Sequence, residues 1–210
     1  DGVDAVLAGL AGGAPPALLH AIHVAFPPAL REALLALTQA GDNEIERAGR
    51  AANQLSRLYA EAVAKLLEAG RVAPAEVAAI GAHGQTVRHR PEAGFTLQLG
   101  APALLAELTG IAVVADFRSR DLAAGGQGAP LVPAFHAAVF GTARPRAIVN
   151  IGGIANISCL PARGTPSLVR GFDCGPGNLL LDAWILRHQG RAFDRDGAWS
   201  SGGRVDKTLL

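Results

Sequence analysis

Asp173 is the side chain best placed to do chemistry in this sequence. It stands in the run V-R-G-F-D-C-G-P-G-N-L-L-L-D, from Val169 to Asp182. A short apolar strand, Val169 to Phe172, ends at this carboxylate and passes through Gly175, Pro176 and Gly177. Asn178 occupies a helix-cap position, and Leu179, Leu180, Asp182, Ala183, Ile185 and Leu186 follow with helical spacing. A strand, an acid, a glycine-rich turn and a helix start gather backbone N–H donors and the positive end of a helix dipole at one point. An acid there faces whatever anion or hydroxyl binds. An Asp that merely caps its own turn has the same spacing, so both readings stand at this level.

Two other segments carry matching chemistry. Asp1, Gly2 and Asp4 open the chain in a turn-like Asp1-Gly2, and Asn150, Gly152, Gly153 and Asn156 surround a second glycine pair. Two glycine turns facing each other offer N–H groups to phosphate oxygens as a nest. Gly152-Gly153 taken alone reads equally as a tight hairpin. No G-x-x-x-x-G-K-[ST] occurs and no G-x-G-x-x-G follows a strand, which excludes a Walker-type site and leaves dinucleotide binding unsupported. Asp116, Arg118 and Asp121 lie at the carboxyl end of a strand, where α/β sheets place ligands. An internal Arg–Asp pair anchoring the loop fits the same residues. His83 follows another strand and suits a ligand contact or a backbone-satisfied ring, while His20, His23, His89, His136 and His188 form no cluster.

The elements that must hold these residues alternate between strand and helix. Val3–Leu10 and Leu18–Phe26 read as a hairpin across a Gly/Pro turn, and Pro27-Pro28 open a helix through Leu37. Ile45, Ala48, Ala52, Leu55, Tyr59, Ala62 and Leu66 mark a long amphipathic helix ended by Gly70. It packs on its own sheet or forms part of a dimer surface. A short helix at Pro74–Val77, strands at Ala78–Ala82, Phe95–Leu99 and Ile111–Ala115, and a helix at Ala101–Leu108 follow. A polar loop, Ser119–Gln127, leads to a helix through Phe140. Then Ala147–Ile151 and Ile154–Leu160 form a second hairpin, echoing the first. The pattern is α/β, a mixed or parallel sheet covered by helices, in two related domains at 1–145 and 146–210.

With 210 residues, half of them hydrophobic and 18% charged, the chain can bury a sizeable core. The net charge of +1 and only ten Phe, Trp and Tyr give no basic, aromatic-lined stripe, which argues against nucleic acid. Cys159 and Cys174 lack the number and spacing of a disulfide scaffold or metal site, so a reducing cytoplasm is expected. Ala5 to Leu30 has no charged residue, but four prolines and two histidines interrupt it, and it is neither a membrane span nor a secretory signal. With no Met anywhere and Lys207-Thr208-Leu209-Leu210 reading as the start of a helix, a fragment of a longer protein is expected.

Together the segments G-A-H-G-Q-T-V-R-H, A-D-F-R-S-R-D-L-A-A-G-G-Q-G-A-P-L-V-P-A-F-H, N-I-G-G-I-A-N-I-S and R-G-F-D-C-G-P-G-N-L-L-L-D-A-W resemble the anhydro-N-acetylmuramic acid kinase family. F-D-R-D-G-A-W, around Asp196 and Trp199, fits as well, and Asp1-Gly2-Val3-Asp4 is similar to the tail of the family's first phosphate motif, G-T-S-x-D-G-x-D. The resemblance covers nearly the whole chain in family order. It implies the sugar-kinase, Hsp70 and actin superfamily: two ribonuclease-H-like domains with mixed sheets flanked by helices and ATP in the cleft between them. Here the chain would be truncated at both ends, its first domain lacking a strand and its second incomplete.

The resemblance also implies an activity: hydrolytic opening of 1,6-anhydro-N-acetylmuramic acid with phosphorylation of its 6-oxygen, giving N-acetylmuramic acid 6-phosphate and ADP in cell-wall recycling. Asp173 would be the catalytic base. Asp1, Gly2, Asp4, Gly152, Gly153, Asn156 and Gly175 would contact ATP phosphates. His83, Gln85, Thr86, Arg118 and Asp121 would line the sugar pocket, and Asp1 and Asp173 would hold Mg²⁺ through water. The fragment itself is expected to be inactive, and a homodimer is compatible with the full-length protein. Another sugar or acyl kinase of the superfamily, or a non-catalytic ATP-binding module, remains an alternative.

Overall fold

In a computed structural model, residues 2–10 and 16–208 are described. They form two compact units, residues 1–129 and 130–210. The division precedes the helix that ends at Phe140, whereas the sequence reading places the domain boundary at 145/146.

The first unit opens with an antiparallel pair, β1 (Gly2–Gly9) and β2 (Ala17–Ala25), with Gly2 opposite Ala25 and a bulge at Leu7/Ala8. Gly2 is thus a strand residue rather than part of a turn. Helix α1 (Pro28–Ala36) starts where Pro28 fixes φ and has no N–H to lose. Helix α2 runs 27 residues, Glu44–Gly70, with Glu44 and Glu46 in its first turn, where acids suit the dipole. Its left-handed terminal residue is Arg71, not Gly70. The core joins Leu30, Leu34 and Leu37 to Ala51, Ala52, Leu55 and Leu58 of α2 and to Val87 and Leu99. Ile45, expected on the apolar face, is 90% exposed because it precedes the first turn that reaches that core.

Two short strand pairs were not both legible. β3 (Ile80–Ala82) and β6 (Val113–Ala115) are parallel, and β4 (Gln85–Arg90) and β5 (Phe95–Leu99) are antiparallel. Q-T-V-R-H-R, β4, looks too polar for a strand. Its one apolar residue, Val87, is buried, and Arg88 is paired: Nη2 lies 2.6 Å from Glu44 Oε1, and Nη1 donates to the Leu37 carbonyl. Helix α3 (Pro102–Thr109) again begins at proline. Helix α4 (Phe117–Ala123) replaces the expected polar loop. Asp116, left-handed at φ 59°, turns the chain out of β6 into that helix.

The second unit is a three-stranded antiparallel sheet, β7 (Arg146–Ile151), β8 (Ile154–Leu160) and β9 (Arg170–Pro176), in that order, with α5 (Val132–Phe140) and α6 (Leu179–Gln189). Helix α5 packs on β8 and β9. His136 and Ser158 are both buried, with Nδ1 and Oγ 2.8 Å apart. Strand β9 is mostly exposed and runs through Asp173 to Pro176, not ending at Phe172 as expected. Of α6 only Ile185 is buried; Leu179, Leu180, Leu181, Trp184 and Leu186 are exposed. No helix among the described residues is long and apolar enough to cross a membrane.

Leu55 is fully buried at the centre of the first unit's core. Leu55→Ala removes three carbons from a site ringed by α1, α2 and β4–β5, so a loss of about 2–5 kcal/mol is expected in urea denaturation.

Candidate functional site

In the second unit the glycine hairpin and the Asp173 junction meet. The Gly152-Gly153 tip joins β7 to β8, and its carbonyls accept the backbone N–H groups that open α6. Gly177 donates to Gly153 O at 2.8 Å, Asn178 to Gly152 O at 2.8 Å and Leu179 to Gly153 O at 3.3 Å. Three donors that the sequence reading offers to a ligand are therefore already used. Asn178 holds the cap position but makes no side-chain cap. Among the described residues the N–H groups of Gly152 and Gly153 donate to no backbone carbonyl, so they are the donors left at this corner. A Cβ on Gly177 would lie 2.1 Å from Gly152 O, so only glycine lets the two turns touch.

Asp173 lies opposite Asn156, which in turn lies opposite Asn150. Gly175 pairs with Ala155, with a left-handed φ of 127°. Asp173 is exposed and Asn156 half-buried. Gly152, Gly153, Asn156, Asp173 and Gly175 thus share one end of one sheet. Gly2 and Asp4 belong to the other unit, on β1, where Asp4 Oδ1 lies 2.8 Å from His23 Nδ1. Asp1 falls outside the described residues. Among those described, no three His, Cys, Asp or Glu converge as a metal cluster.

The first unit holds a cavity of about 260 Å³ at the carboxyl ends of β3 and β6. Its wall includes His83, Gly84, Asp116 and Ser119, with Ser56 and Tyr59 from α2 and Gln98 from β5. Arg118 Nε donates to His83 Nε2 at 2.9 Å, which makes that nitrogen an acceptor. Nδ1 then carries the proton, 2.8 Å from Gly84 O. Burial, opposed by a backbone hydrogen bond from Gly84, raises the Tyr59 phenol above its ordinary 10.0, so it is a neutral hydroxyl at cellular pH.

Arg118 Nη1 also donates to Gly128 O at 2.5 Å, while Asp121 Oδ2 accepts from Gly128 N at 2.7 Å. Both backbone groups of one residue are thus held, and Asp121 works within its own loop. Gln85 and Thr86 lie on β4, and Thr86 Oγ1 accepts from Gln98 Nε2 at 3.2 Å. Of the five expected pocket residues, His83 lines the cavity and Arg118 fixes it. Tyr59 and Ser56 escaped the sequence reading because they sit inside a regular helical pattern.

Near the chain's end Asp194 accepts the N–H groups of Trp199 and Ser200, each at 2.9 Å. His188 lies between Trp184 and Trp199, at ring-centroid distances of 4.3 and 6.1 Å.

The fold and these sites define a mixed α/β protein in two units, each with a glycine-bounded polar site at strand ends. The profile of one family, described as anhydro-N-acetylmuramic acid kinase, matches residues 1–210. The chain belongs to that family. Among curated proteins it is similar to the anhydro-N-acetylmuramic acid kinases of Cupriavidus metallidurans (61% identical over 215 residues), Bordetella pertussis (59% over 210) and Paraburkholderia xenovorans (58% over 211). Each match covers all of this chain and 56%, 54% and 55% of the relative, respectively, so the chain spans about half the length of the relatives it matches.

Gly177→Ala should part the hairpin tip from the helix start, costing about 1–3 kcal/mol and speeding amide exchange at Asn178 and Leu179. Unchanged exchange there would refute the contact. The bonds from Trp199 and Ser200 hold Asp194 below the ordinary 3.8. It is the carboxylate that is bonded, so its contribution is present above the ordinary value and lost as pH falls through the depressed one. The Trp199 and Ser200 amide resonances should therefore titrate with a midpoint below 3.8.

Proposed function

We propose that this chain, at the full length of its relatives, is an ATP-dependent kinase. It opens 1,6-anhydro-N-acetylmuramic acid and phosphorylates the freed 6-oxygen, giving N-acetylmuramic acid 6-phosphate and ADP. One observation carries the reading. Within a chain matched end to end by that family, an exposed Asp173 shares a sheet end with a glycine tip whose N–H groups are unused. The relatives' name points to the substrate, and the geometry supports reading Asp173 as a base and the glycine tip as an anion cradle.

Asp173 takes a proton from the water that attacks the anomeric carbon. The bond from that carbon to the bridging 6-oxygen breaks, and the oxygen receives the γ-phosphoryl group as ADP departs. Phosphoryl capture of the leaving oxygen removes the need for a separate acid, so one carboxylate suffices where glycosidases use two. The N–H groups of Gly152 and Gly153, with the open backbone at Gly175, fit phosphate oxygens. Mg²⁺ neutralises phosphate charge in such transfers. Among the described residues Asp173 belongs to no acidic cluster, which fits an ion held mainly by phosphates and water; by the family resemblance Asp173 and Asp1 would hold that ion through water.

In the first unit, the cavity beside His83 suits the sugar. A neutral imidazole, the Tyr59 hydroxyl and the Arg118 that orients His83 offer uncharged and charge-assisted contacts, with Gln85 and Thr86 behind them on β4. Asp121 supports this pocket through its loop. Gly2 and Asp4, on β1, are read as the strand end of a first phosphate motif. The two compact units correspond, in this reading, to two ribonuclease-H-like domains, and two free, exposed cysteines suit a cytoplasmic location.

The test uses a chain of the relatives' length and follows ADP release with the anhydro sugar and, separately, with N-acetylglucosamine. Asp173→Asn is expected to lower turnover of the anhydro sugar by about 10² or more with little change in KM. Undiminished turnover, or equal use of N-acetylglucosamine, would remove the assignment.

A further inference from the structure

We propose that Asn156 is a positioning residue that orients the Asp173 carboxylate through its side-chain amide. The inference rests on the reading of Asp173 as the base. The resemblance assigns Asn156 to phosphate, but the sheet gives it another neighbour. From Ile154↔Pro176 and Ala155↔Gly175, regular pairing would set Asn156 opposite Cys174. Instead the register slips by one, and Asn156 lies opposite Asp173, leaving Cys174 as the extra residue. The bulge is what carries the acid into the row of Asn156. Bulges commonly re-aim a side chain in this way beside active sites.

Directly opposed residues of antiparallel strands project from the same face, with Cβ atoms about 4.5–5.5 Å apart. Asn150, Asn156 and Asp173 therefore form one polar row across all three strands. The next row, Ile148, Ser158 and Gly171, is closed over by α5: Ser158 meets His136, and a Cβ on Gly171 would lie 2.3 Å from Pro133 Cγ. The polar row is the first one past that lid.

Asn156 Oδ1 is buried with no hydrogen-bond partner. An acceptor left unpaired in the interior weakens the fold, and a Ser, Thr or Ala would avoid that cost. The oxygen end is enclosed, which leaves the Nδ2–H₂ end as the donor that an opposed carboxylate could meet. An amide donor suits a general base. It fixes the carboxylate's direction without adding the positive charge that Lys or Arg would bring, which would weaken its basicity.

The experiment compares Asn156→Ala, Asn156→Ser and Asp173→Asn in a chain of the relatives' length, measuring kcat, both KM values and Tm. Asn156→Ala should lower kcat by roughly 10- to 100-fold, the scale of a misplaced catalytic group. Both KM values should stay within about twofold of the parent's, and Tm should be unchanged or higher, because the orphaned oxygen is gone. Asn156→Ser, with a hydroxyl donor, should recover part of the loss. A rise in KM for MgATP at unchanged kcat would make Asn156 a phosphate contact, and a fall in Tm with no rescue by Ser would make it structural; either overturns the proposal. An active Asp173→Asn variant would show that the base assignment itself had failed. An inactive one beside a fully active Asn156→Ala would sink the positioning role alone.

Discussion

Two carbonyl oxygens hold the second unit's site together. Gly152 and Gly153 accept the N–H groups of Gly177, Asn178 and Leu179, so a hairpin tip and a helix start become one rigid corner. A helix N-terminus ordinarily leaves its first donors for solvent, caps or ligands. Here another backbone takes them, which explains why Asn178 occupies the cap position without capping. It also reverses the roles of the two glycine turns. The α6 turn is consumed in construction, and the hairpin keeps the N–H groups that no backbone carbonyl takes. The whole arrangement demands that residue 177 have no side chain.

The first unit solves a similar problem with side chains. Its loop after α4 is held because Arg118 and Asp121 seize the two backbone groups of Gly128, one through the carbonyl and one through the N–H. Arg118 then spends a further donor on His83, setting which imidazole nitrogen carries the proton. A single guanidinium thus connects the shape of a loop to the tautomer of a ring in the cavity wall. The planar fork of Arg, with several donors at fixed angles, makes that double duty feasible where Lys would not serve.

Much of this was written plainly in the residues. Pro28 announced its helix because proline fits the first turn at no cost, and the hairpin at Gly152-Gly153 was visible from two apolar runs around a side-chain-free pair. Where reading failed, long-range contact had overruled local composition. Q-T-V-R-H-R looks like a loop until Arg88 finds Glu44 and the Leu37 carbonyl, neither of which is near it in sequence. The stretch from Ser119 to Gln127 looks like a polar loop until Asp116 adopts a left-handed turn and starts a helix that takes in its first part, through Ala123. Strand β9 was cut short on paper at Phe172, because a bulge lets Asp173 and Cys174 continue a ladder that their types disfavour. Asp173, Gly152 and Gly153 were singled out from their own types and spacing, and the structure sets them at one end of one sheet. Tyr59 and Ser56 were not, since a helix surface gives no sign of which turn will face a cavity.

The stack of Trp184, His188 and Trp199 has an optical corollary. These two are the chain's only tryptophans, both lie within 130–210, and each adjoins the same imidazole. Indole emission therefore originates entirely from one of the two compact units, while the other contributes a lone tyrosine, Tyr59. Fluorescence and far-ultraviolet dichroism consequently sample different parts of the polypeptide. Agreement between their melting curves would mean that the halves unfold as one cooperative body, and a gap between the curves would time the halves separately.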